Sequence, residues 1–122
     1  MRTLLVVDDD EDVRFAIQQA LEGSGLHVVT APDGLAALDL LRSGECRPDA
    51  ILLDLMMPRM GGQEFLREKS KIPDFARTPV VLITASDVLL ARAAAAEDPF
   101  GVTMILQKPF SVDQLMRVLA PA

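Results

Sequence analysis

Five short apolar runs alternate along the chain with segments of helical spacing, and this alternation restricts the fold more than any other feature. The runs lack the polar alternation of half-exposed strands, as expected for strands covered on both faces of a parallel sheet. They comprise residues 4–7, 27–30, 50–53, 79–83 and 103–106. Strands that alternate with helices imply right-handed crossovers and helices on both faces. The sequence therefore predicts an α/β fold, a doubly wound (βα)5 three-layer sandwich around a parallel five-stranded sheet.

The segments between the runs carry helix signals of their own. Asp33 is of the residue type that caps a helix N-terminus, and Ser111 with Gln114 has the spacing of a capping box. An alanine-rich stretch after the fourth run favours a further helix. The predicted helices cover residues 10–22, 33–43, 63–69, 88–97 and 111–119.

Composition narrows the classes of function. The chain has 122 residues and a formal net charge of −6, so it lacks the basic surface that binding of a phosphate backbone requires. The single cysteine, Cys46, cannot form an internal disulfide, which fits a reducing cytosol. No signal peptide is recognisable, and no apolar stretch approaches membrane-spanning length. We expect one cytoplasmic domain over residues 1–122, without a second domain, a membrane partner or direct nucleic-acid binding.

Polar side chains stand at the ends of four of the predicted strands. Asp8 and Asp9 follow the first run and Asp54 follows the third. Thr84 follows the fourth run, and Lys108 comes two residues after the fifth. In an open α/β sheet, ligands bind in the crevice beyond the carboxyl ends of the strands. If these strands are near neighbours, the five side chains converge on one crevice.

This set of side chains has the parts needed to accept a phosphoryl group. Two carboxylates about 5 Å apart repel by roughly 3 kcal/mol at an effective dielectric near 20, so three ionised acids require a cation. Either a divalent metal or Lys108 can balance them. Oxygen ligands without a nearby histidine or thiolate suit Mg²⁺. A carboxylate would attack, Mg²⁺ and Lys108 would offset charge, and Thr84 would hydrogen-bond a transferring oxygen.

Each of these residues alone has a plainer explanation. The acidic run at residues 8–12 is typical of a solvated helix start, and Asp54 of a turn. Thr84 is typical of a helix cap, and Lys108 of a surface. Together, the five polar residues indicate a functional site because all of them follow predicted strands. His27, the only histidine, lies within a run far from the acids and is interpreted as structural or solvent-facing.

Four motifs together resemble those of the receiver domain of two-component response regulators. They are VVDDD at 6–10, LLDLMMPRMGG at 52–62, ITA at 83–85 and KPF at 108–110. The resemblance runs from Leu4 to Leu119, which gives a receiver-domain core of residues 4–119. It implies a flavodoxin-like fold with strand order 2-1-3-4-5.

The resemblance also implies a role for each candidate residue. Asp54 would be the phosphorylation site, and Thr84 and Lys108 would bind the phosphoryl group. The Mg²⁺ ligands would be Asp9 and Asp54 directly, Asp8 through water, and the backbone carbonyl of Met56.

The function implied by the resemblance is a phosphorylation-dependent signalling switch rather than an enzyme. Asp54 would receive its phosphoryl group from a sensor histidine kinase or a histidine phosphotransfer protein, with Mg²⁺ as cofactor. A downstream effector protein or output domain would read the result, and a homodimer on phosphorylation is compatible with the resemblance. Whether residues 119–122, LAPA, end the protein or begin a linker stays open.

Two features depart from the family pattern. Ile105 stands where the family usually has tyrosine or phenylalanine, three residues before the lysine. The small, glycine-containing segment usual after the fourth helix is replaced by AEDPFG. Because Ile105 has no ring to swing towards Thr84, we expect the conformational change to be carried by residues 86–92 instead.

Three other classes of protein share parts of the pattern. A Mg²⁺-dependent aspartyl-phosphate hydrolase usually has a second acid two residues after its nucleophile, where this chain has Met56, and the chain is short for a substrate cap. A flavodoxin-like mononucleotide carrier needs a hydroxyl- and glycine-rich phosphate loop after the first strand, where this chain has acids. An unphosphorylated scaffold would lack the acceptor or the lysine, and both are present.

Overall fold

The computed structural model describes residues 2–21, 23–55, 57, 59–85, 102–108 and 110–119. Strands and helices alternate through most of this chain. The described elements are β1 (Arg2–Val7), α1 (Glu11–Leu21), β2 (Leu26–Ala31), α2 (Gly34–Ser43), β3 (Ala50–Asp54), α3 (Gly62–Ser70), β4 (Val80–Thr84), β5 (Val102–Gln107) and a C-terminal helix (Val112–Leu119). The predicted helix over residues 88–97 lies outside the described residues.

The five strands form one parallel sheet with the order β2-β1-β3-β4-β5. β1 lies between β2 and β3, and β4 joins β3 to β5. The order reverses after β1 because the chain moves from β2 across β1 to β3. The predicted doubly wound α/β fold and its strand order are therefore confirmed.

Helices α2 and α3 cover one face of the sheet. Ala37, Leu38 and Leu41 of α2 are buried there, together with Phe65 and Leu66 of α3. The other face is covered by α1 and the C-terminal helix, whose buried residues Ile17, Leu21 and Leu115 pack with Leu4, Val6 and Leu52 of the sheet. Two apolar layers around a buried sheet explain why the strand sequences show no polar alternation.

Two predicted helix caps are formed as expected. The Asp33 carboxylate accepts a hydrogen bond from the Ala36 backbone N–H at 2.9 Å. At the C-terminal helix, the Ser111 N–H donates to Gln114 Oε1 at 2.8 Å, and the Gln114 N–H donates to Ser111 Oγ at 3.1 Å. This reciprocal pair is the predicted capping box.

Some boundaries differ from the sequence prediction by one or two residues. β1 begins at Arg2 rather than at residue 4, because Arg2 pairs with Leu26 of β2. Helix α1 begins at Glu11 rather than at residue 10, because the Asp10 carboxylate caps it by accepting from the N–H groups of Asp12 and Val13 at 2.9 and 3.4 Å. Strand pairing sets the start of β1 and the Asp10 cap sets the start of α1. Hydrophobic periodicity predicts neither contact.

His27 and Cys46, which take no part in the predicted site, differ in exposure. His27 is exposed on β2, as expected for a solvent-facing side chain. Cys46 is only 2% exposed, and burial raises the pKa of its thiol, which disfavours a reactive thiolate. No helix among the described residues has the length and apolar character needed to cross a membrane.

Candidate functional site

The sheet register brings the predicted acids together at the carboxyl edge. Val7 of β1 pairs with Leu53 of β3, so Asp8 and Asp54 follow at the same level on adjacent strands. Asp9 lies one residue further along. The closest carboxylate oxygens of Asp8, Asp9 and Asp54 all lie within 4.8 Å of one another. The predicted convergence of the three acids is present.

Lys108 reaches this cluster from the end of β5. Its Nζ donates to Asp8 Oδ2 at 2.6 Å and to Asp54 Oδ2 at 3.1 Å. Burial opposes the charged form of Lys108, but the hydrogen bonds to the two carboxylates outweigh it, so the pKa of Lys108 is raised above its usual value. Lys108 is therefore an ammonium that bridges two acids.

Asp8 is fully buried, and both of its carboxylate oxygens already have donors. Oδ1 accepts from the Asp10 N–H at 2.9 Å, and Oδ2 accepts from Lys108. The Arg14 guanidinium donates to the Asp8 backbone carbonyl at 2.7 Å. Asp9, by contrast, is exposed. An exposed Asp9 is better placed to bind a cation directly than an Asp8 whose oxygens are engaged.

The donor set suits Mg²⁺. The three clustered groups are carboxylates, which are hard oxygen ligands. Asp9 and Asp54 could contact the ion, and Asp8 could act through water. The Met56 carbonyl, the fourth ligand implied by the resemblance, lies outside the described residues. The three acids of the predicted ligand set therefore lie close enough together to hold a divalent cation.

Thr84 ends β4 and is 1% exposed. Its backbone carbonyl accepts from the Lys108 N–H at 2.9 Å, which ties the ends of β4 and β5 together. Side chains alternate along a strand, so Thr84 falls on the face of Val80 and Leu82, where Ile105 also packs against the core. Ile105 pairs with Leu82, two residues before Thr84, and so lies on the sheet face that α2 and α3 cover.

The backbone directly after Asp54 is tightly packed. The Leu55 N–H donates to the Ile83 carbonyl at 3.3 Å, and the Gly62 N–H donates to the Leu55 carbonyl at 3.1 Å. A Cβ atom at Gly62 would lie 2.8 Å from the backbone oxygen of Asp54, which is closer than side chains approach. The second glycine of the predicted loop is therefore required for α3 to begin beside the acceptor.

Sequence reasoning missed one charged contact near this loop. Arg59 forms a salt bridge with Asp33, the cap of α2. Burial alone would raise the pKa of Asp33, but hydrogen bonds from Ala36 and Arg59 and the charge of Arg59 lower it below its usual value. The only sequence signal was a charged pair of opposite sign, 26 residues apart, which is too common to single out.

Comparison with known proteins gives concordant matches. The response regulator receiver domain family matches residues 4–120. The response regulator MprA of Mycobacterium sp. (strain KMS) is 39% identical over 113 residues, which cover 93% of this chain and 46% of MprA. The chain thus spans less than half the length of the curated relatives that it matches.

Solved structures agree with these matches. Chemotaxis protein CheY4 of Vibrio cholerae is 31% identical with a TM-score of 0.81, and the match covers 98% of this chain and 96% of CheY4. The receiver domain of the Francisella response regulator 1452 is 30% identical with a TM-score of 0.80, over 98% of this chain and 93% of that domain. The motifs, the sheet order and these matches agree, and the chain belongs to the response regulator receiver domain family of two-component systems.

Proposed function

We propose that this chain is a phosphorylation-dependent signalling switch in which Asp54 accepts a phosphoryl group from a phosphohistidine. The donor would be a sensor histidine kinase or a histidine phosphotransfer protein. The observation that carries the proposal is the Lys108 ammonium bridging Asp8 and Asp54, with Asp9 beside them. A carboxylate next to a fixed cation and two further acids is suited to nucleophilic attack on phosphorus.

The transfer is a displacement at phosphorus. A carboxylate oxygen of Asp54 forms the new P–O bond while the P–N bond to the donor imidazole breaks. The imidazole nitrogen keeps the electron pair and takes up a proton. When bound at the acids, Mg²⁺ would offset negative charge on the carboxylates and the transferring oxygens. Asp54 is itself modified in each event, so the chain acts as a phosphoacceptor and not as an enzyme with turnover on a separate substrate.

The side chains around Asp54 have distinct parts in this proposal. Lys108 donates to Asp54 Oδ2 at 3.1 Å before transfer and can donate to a phosphoryl oxygen afterwards. Thr84 supplies a hydroxyl from the end of β4. Asp8 fixes Lys108 through its 2.6 Å hydrogen bond. These three residues therefore position charge and hydrogen bonds around the acceptor.

A groove beside Lys108 is the candidate contact surface for the donor protein. It has a volume of about 340 Å³ and opens between α1 and the segment that follows β5. Its lining is mostly apolar, so it offers few groups to a free phosphate and favours apolar side chains of a donor protein. The lining residues are Val13, Ala16, Ile17, Ala85, Lys108 and Phe110.

Phosphorylation supplies the energy for switching. It changes the charge at Asp54 from −1 to nearly −2 and adds acceptor oxygens for Lys108 and Thr84. A hundredfold shift between two conformations needs about 2.7 kcal/mol, which two charge-assisted hydrogen bonds can provide. We propose that an effector protein or output domain reads this shift. The segment expected to carry it, residues 86–92, lies outside the described residues.

The proposal is tested first by the metal dependence of phosphorylation. Incubation with acetyl phosphate, or with a phosphorylated histidine donor, should add the mass of one phosphate to the intact chain when Mg²⁺ is present. Chelation with EDTA should remove this product, because three carboxylates without the metal repel the incoming anion. Equal labelling with Mg²⁺ and with EDTA would contradict the role assigned to the acid cluster.

The two acids after β1 should contribute unequally to Mg²⁺ affinity. Asp9→Ala should raise the Mg²⁺ dissociation constant more than Asp8→Ala, because Asp9 is exposed while both oxygens of Asp8 already accept hydrogen bonds. Calorimetric titration is the suitable measurement, since the chain has no tryptophan or tyrosine. A larger effect at Asp8 would reverse the two assigned roles.

A further inference from the structure

An ion pair joins the loop after β3 to the start of α2. The Arg59 guanidinium donates through Nε to Asp33 Oδ2 at 2.8 Å and through Nη2 to the same oxygen. The other oxygen of Asp33 is used differently, because Oδ1 caps α2 at the Ala36 N–H. Asp33 is buried. One carboxylate therefore serves both a helix cap and a charged contact to a loop.

A backbone contact reinforces this ion pair. The Gly34 N–H donates to the Met60 carbonyl at 3.3 Å. A Cβ atom at Gly34 would lie 2.7 Å from Met60 Cγ and 3.0 Å from the Met60 carbonyl oxygen, so only glycine allows the two segments to lie this close. Residue 33 thus contacts residue 59 through its side chain, and residue 34 contacts residue 60 through its backbone.

Arg59 adopts an unfavourable backbone conformation in making this contact. Its φ is 63°, in the left-handed region, and it is the one non-glycine residue with positive φ in the described part of the chain. Residues with side chains adopt this region only where the surroundings over-determine it, and such residues concentrate at functional sites. The Arg59 ion pair and the hydrogen bond at Met60 lie at this position and can offset the cost of the conformation.

We propose that Asp33 and Arg59, together with the Gly34–Met60 hydrogen bond, form a latch that anchors residues 59 and 60 to the start of α2 and thereby sets the rate at which Asp54 is phosphorylated. This inference rests on the proposed function of Asp54. The near end of the loop is fixed to the sheet through Leu55, whose N–H donates to the Ile83 carbonyl at 3.3 Å. The latch fixes the far end five residues after the acceptor.

The position of residues 59 and 60 should affect the rate of Asp54 phosphorylation more than the free energy of unfolding. A displacement of about 1 Å at a reacting group can cost on the order of a hundredfold in rate. The Arg59 side chain is 59% exposed, so solvent screens its charge and limits its contribution to the free energy of unfolding, although Asp33 is buried. Asp33 and Arg59 are therefore positioning residues, and their removal should slow phosphorylation while leaving the fold intact.

The variants separate the latch from the helix cap and from the loop conformation. Asp33→Asn keeps a side-chain oxygen to cap α2 and removes the charge. Arg59→Gly keeps a residue that tolerates positive φ and removes the ion pair. Arg59→Lys keeps the charge without the guanidinium fork. The control is Glu68→Gln near the end of α3. It removes a surface ion pair in which Lys71 Nζ lies 2.9 Å from Glu68 Oε2.

Phosphorylation by acetyl phosphate is followed by intact mass in the full chain with saturating Mg²⁺. We expect Asp33→Asn and Arg59→Gly each to slow it by about tenfold, a change of about 1.4 kcal/mol in the barrier. The double variant should show about the same tenfold loss, because both changes remove one interaction. Arg59→Lys should recover part of the rate, and Glu68→Gln should match the unmodified chain.

Mg²⁺ affinity provides a second measurement that does not depend on a phosphodonor. Amide chemical shifts of residues 9 and 55 followed during Mg²⁺ titration should give a dissociation constant raised about threefold in the latch variants, a cost of about 0.65 kcal/mol. Urea unfolding by circular dichroism checks that each variant is folded. A merely structural role would lower the urea midpoint and leave both the rate and the Mg²⁺ affinity unchanged.

The outcomes distinguish this proposal from the proposed function. If the unmodified chain is phosphorylated and the latch variants match it in rate and Mg²⁺ affinity, the latch is overturned and Asp54 keeps its role. Rate losses that multiply in the double variant would also overturn it, because the two residues would then act separately. If the unmodified chain takes up no phosphate from any donor, both proposals fail.

Discussion

Asp54→Asn should abolish phosphorylation of the chain by a phosphohistidine donor or acetyl phosphate. The amide that replaces the carboxylate has no anionic oxygen to attack phosphorus, and it also weakens the contact that Lys108 makes at 3.1 Å. Removal of a nucleophile typically costs several orders of magnitude in rate, so labelling should fall at least about a hundredfold. Intact-mass spectrometry, with Mg²⁺ present throughout, measures the loss directly.

Asp49→Asn is the matched control for this substitution. Asp49 directly precedes the other end of β3, is exposed, and accepts a hydrogen bond from the Thr3 N–H at 2.7 Å. An asparagine oxygen can still accept that bond, so labelling should be unchanged. Neutral hydroxylamine should release the phosphate from the unmodified chain, because it cleaves acyl phosphates and spares phosphoesters of serine and threonine. Undiminished, hydroxylamine-stable labelling of Asp54→Asn would place the acceptor elsewhere.

The carboxyl edge of the sheet was predictable because each residue that builds it is marked by the apolar run directly before it. Asp8, Asp54 and Thr84 each stand directly after an apolar run, and parallel strands bring such positions to one edge. The exact register of the strands did not have to be known, provided that the strands were near neighbours. The motifs then added the strand order, which apolar runs alone do not determine.

The contacts that hold the edge in place could not be predicted in the same way. The Asp33–Arg59 pair depends on a left-handed residue in an irregular loop, and no hydrophobic period records that conformation. The hydrogen bond from Arg14 to the Asp8 carbonyl depends on how α1 returns over β1. Both contacts join segments whose relative position is set by packing of the whole domain.

Lys69 illustrates the limit of residue-type rules. It lies in α3 with its side chain fully buried, and its Nζ donates to the Ala76 carbonyl at 3.2 Å. Lysine is almost never fully buried, so composition and periodicity both favour an exposed position. The turn after α3 folds back over the helix and supplies the acceptor. Only the tertiary structure places that carbonyl within reach.

Lys108→Met should destabilise the chain, and Mg²⁺ should remove most of that loss. Lys108 bridges Asp8, which is fully buried, and Asp54. Without the ammonium, two carboxylates remain in a mostly dry site and repel each other. Loss of one partner from a fully buried ion pair costs 3–5 kcal/mol, and because the Lys108 side chain is 19% exposed we expect about 2 kcal/mol.

The Mg²⁺ dependence follows from the shared carboxylates. Lys108 and the metal both offset charge on the same acids, so the variant should bind Mg²⁺ more tightly than the unmodified chain. Tighter binding gives the variant more stabilisation at a given Mg²⁺ concentration. With saturating Mg²⁺, the difference in unfolding free energy should shrink to less than about 1 kcal/mol. Urea unfolding by circular dichroism, with Mg²⁺ and with EDTA, measures both values.

Lys71→Met is the control for a lost lysine. Its ammonium pairs with Glu68 on the surface with a side chain 66% exposed, so the expected loss is below about 0.5 kcal/mol and independent of Mg²⁺.

The pH dependence of the Lys108→Met difference tests whether the loss of stability comes from the charge of Lys108. The pKa of Lys108 is raised from 10.5 in the folded chain. A raised lysine pKa contributes stability that is fully present below the unfolded value and is lost as pH rises through the folded value. The difference between the two proteins without Mg²⁺ should therefore stay constant from about pH 6 to pH 9 and shrink only in more alkaline solution. A loss of equal size with Mg²⁺ and with EDTA, or one that does not shrink in alkaline solution, would show that the loss does not come from the ammonium, and the role of Lys108 as counter-ion to the acceptor would be wrong.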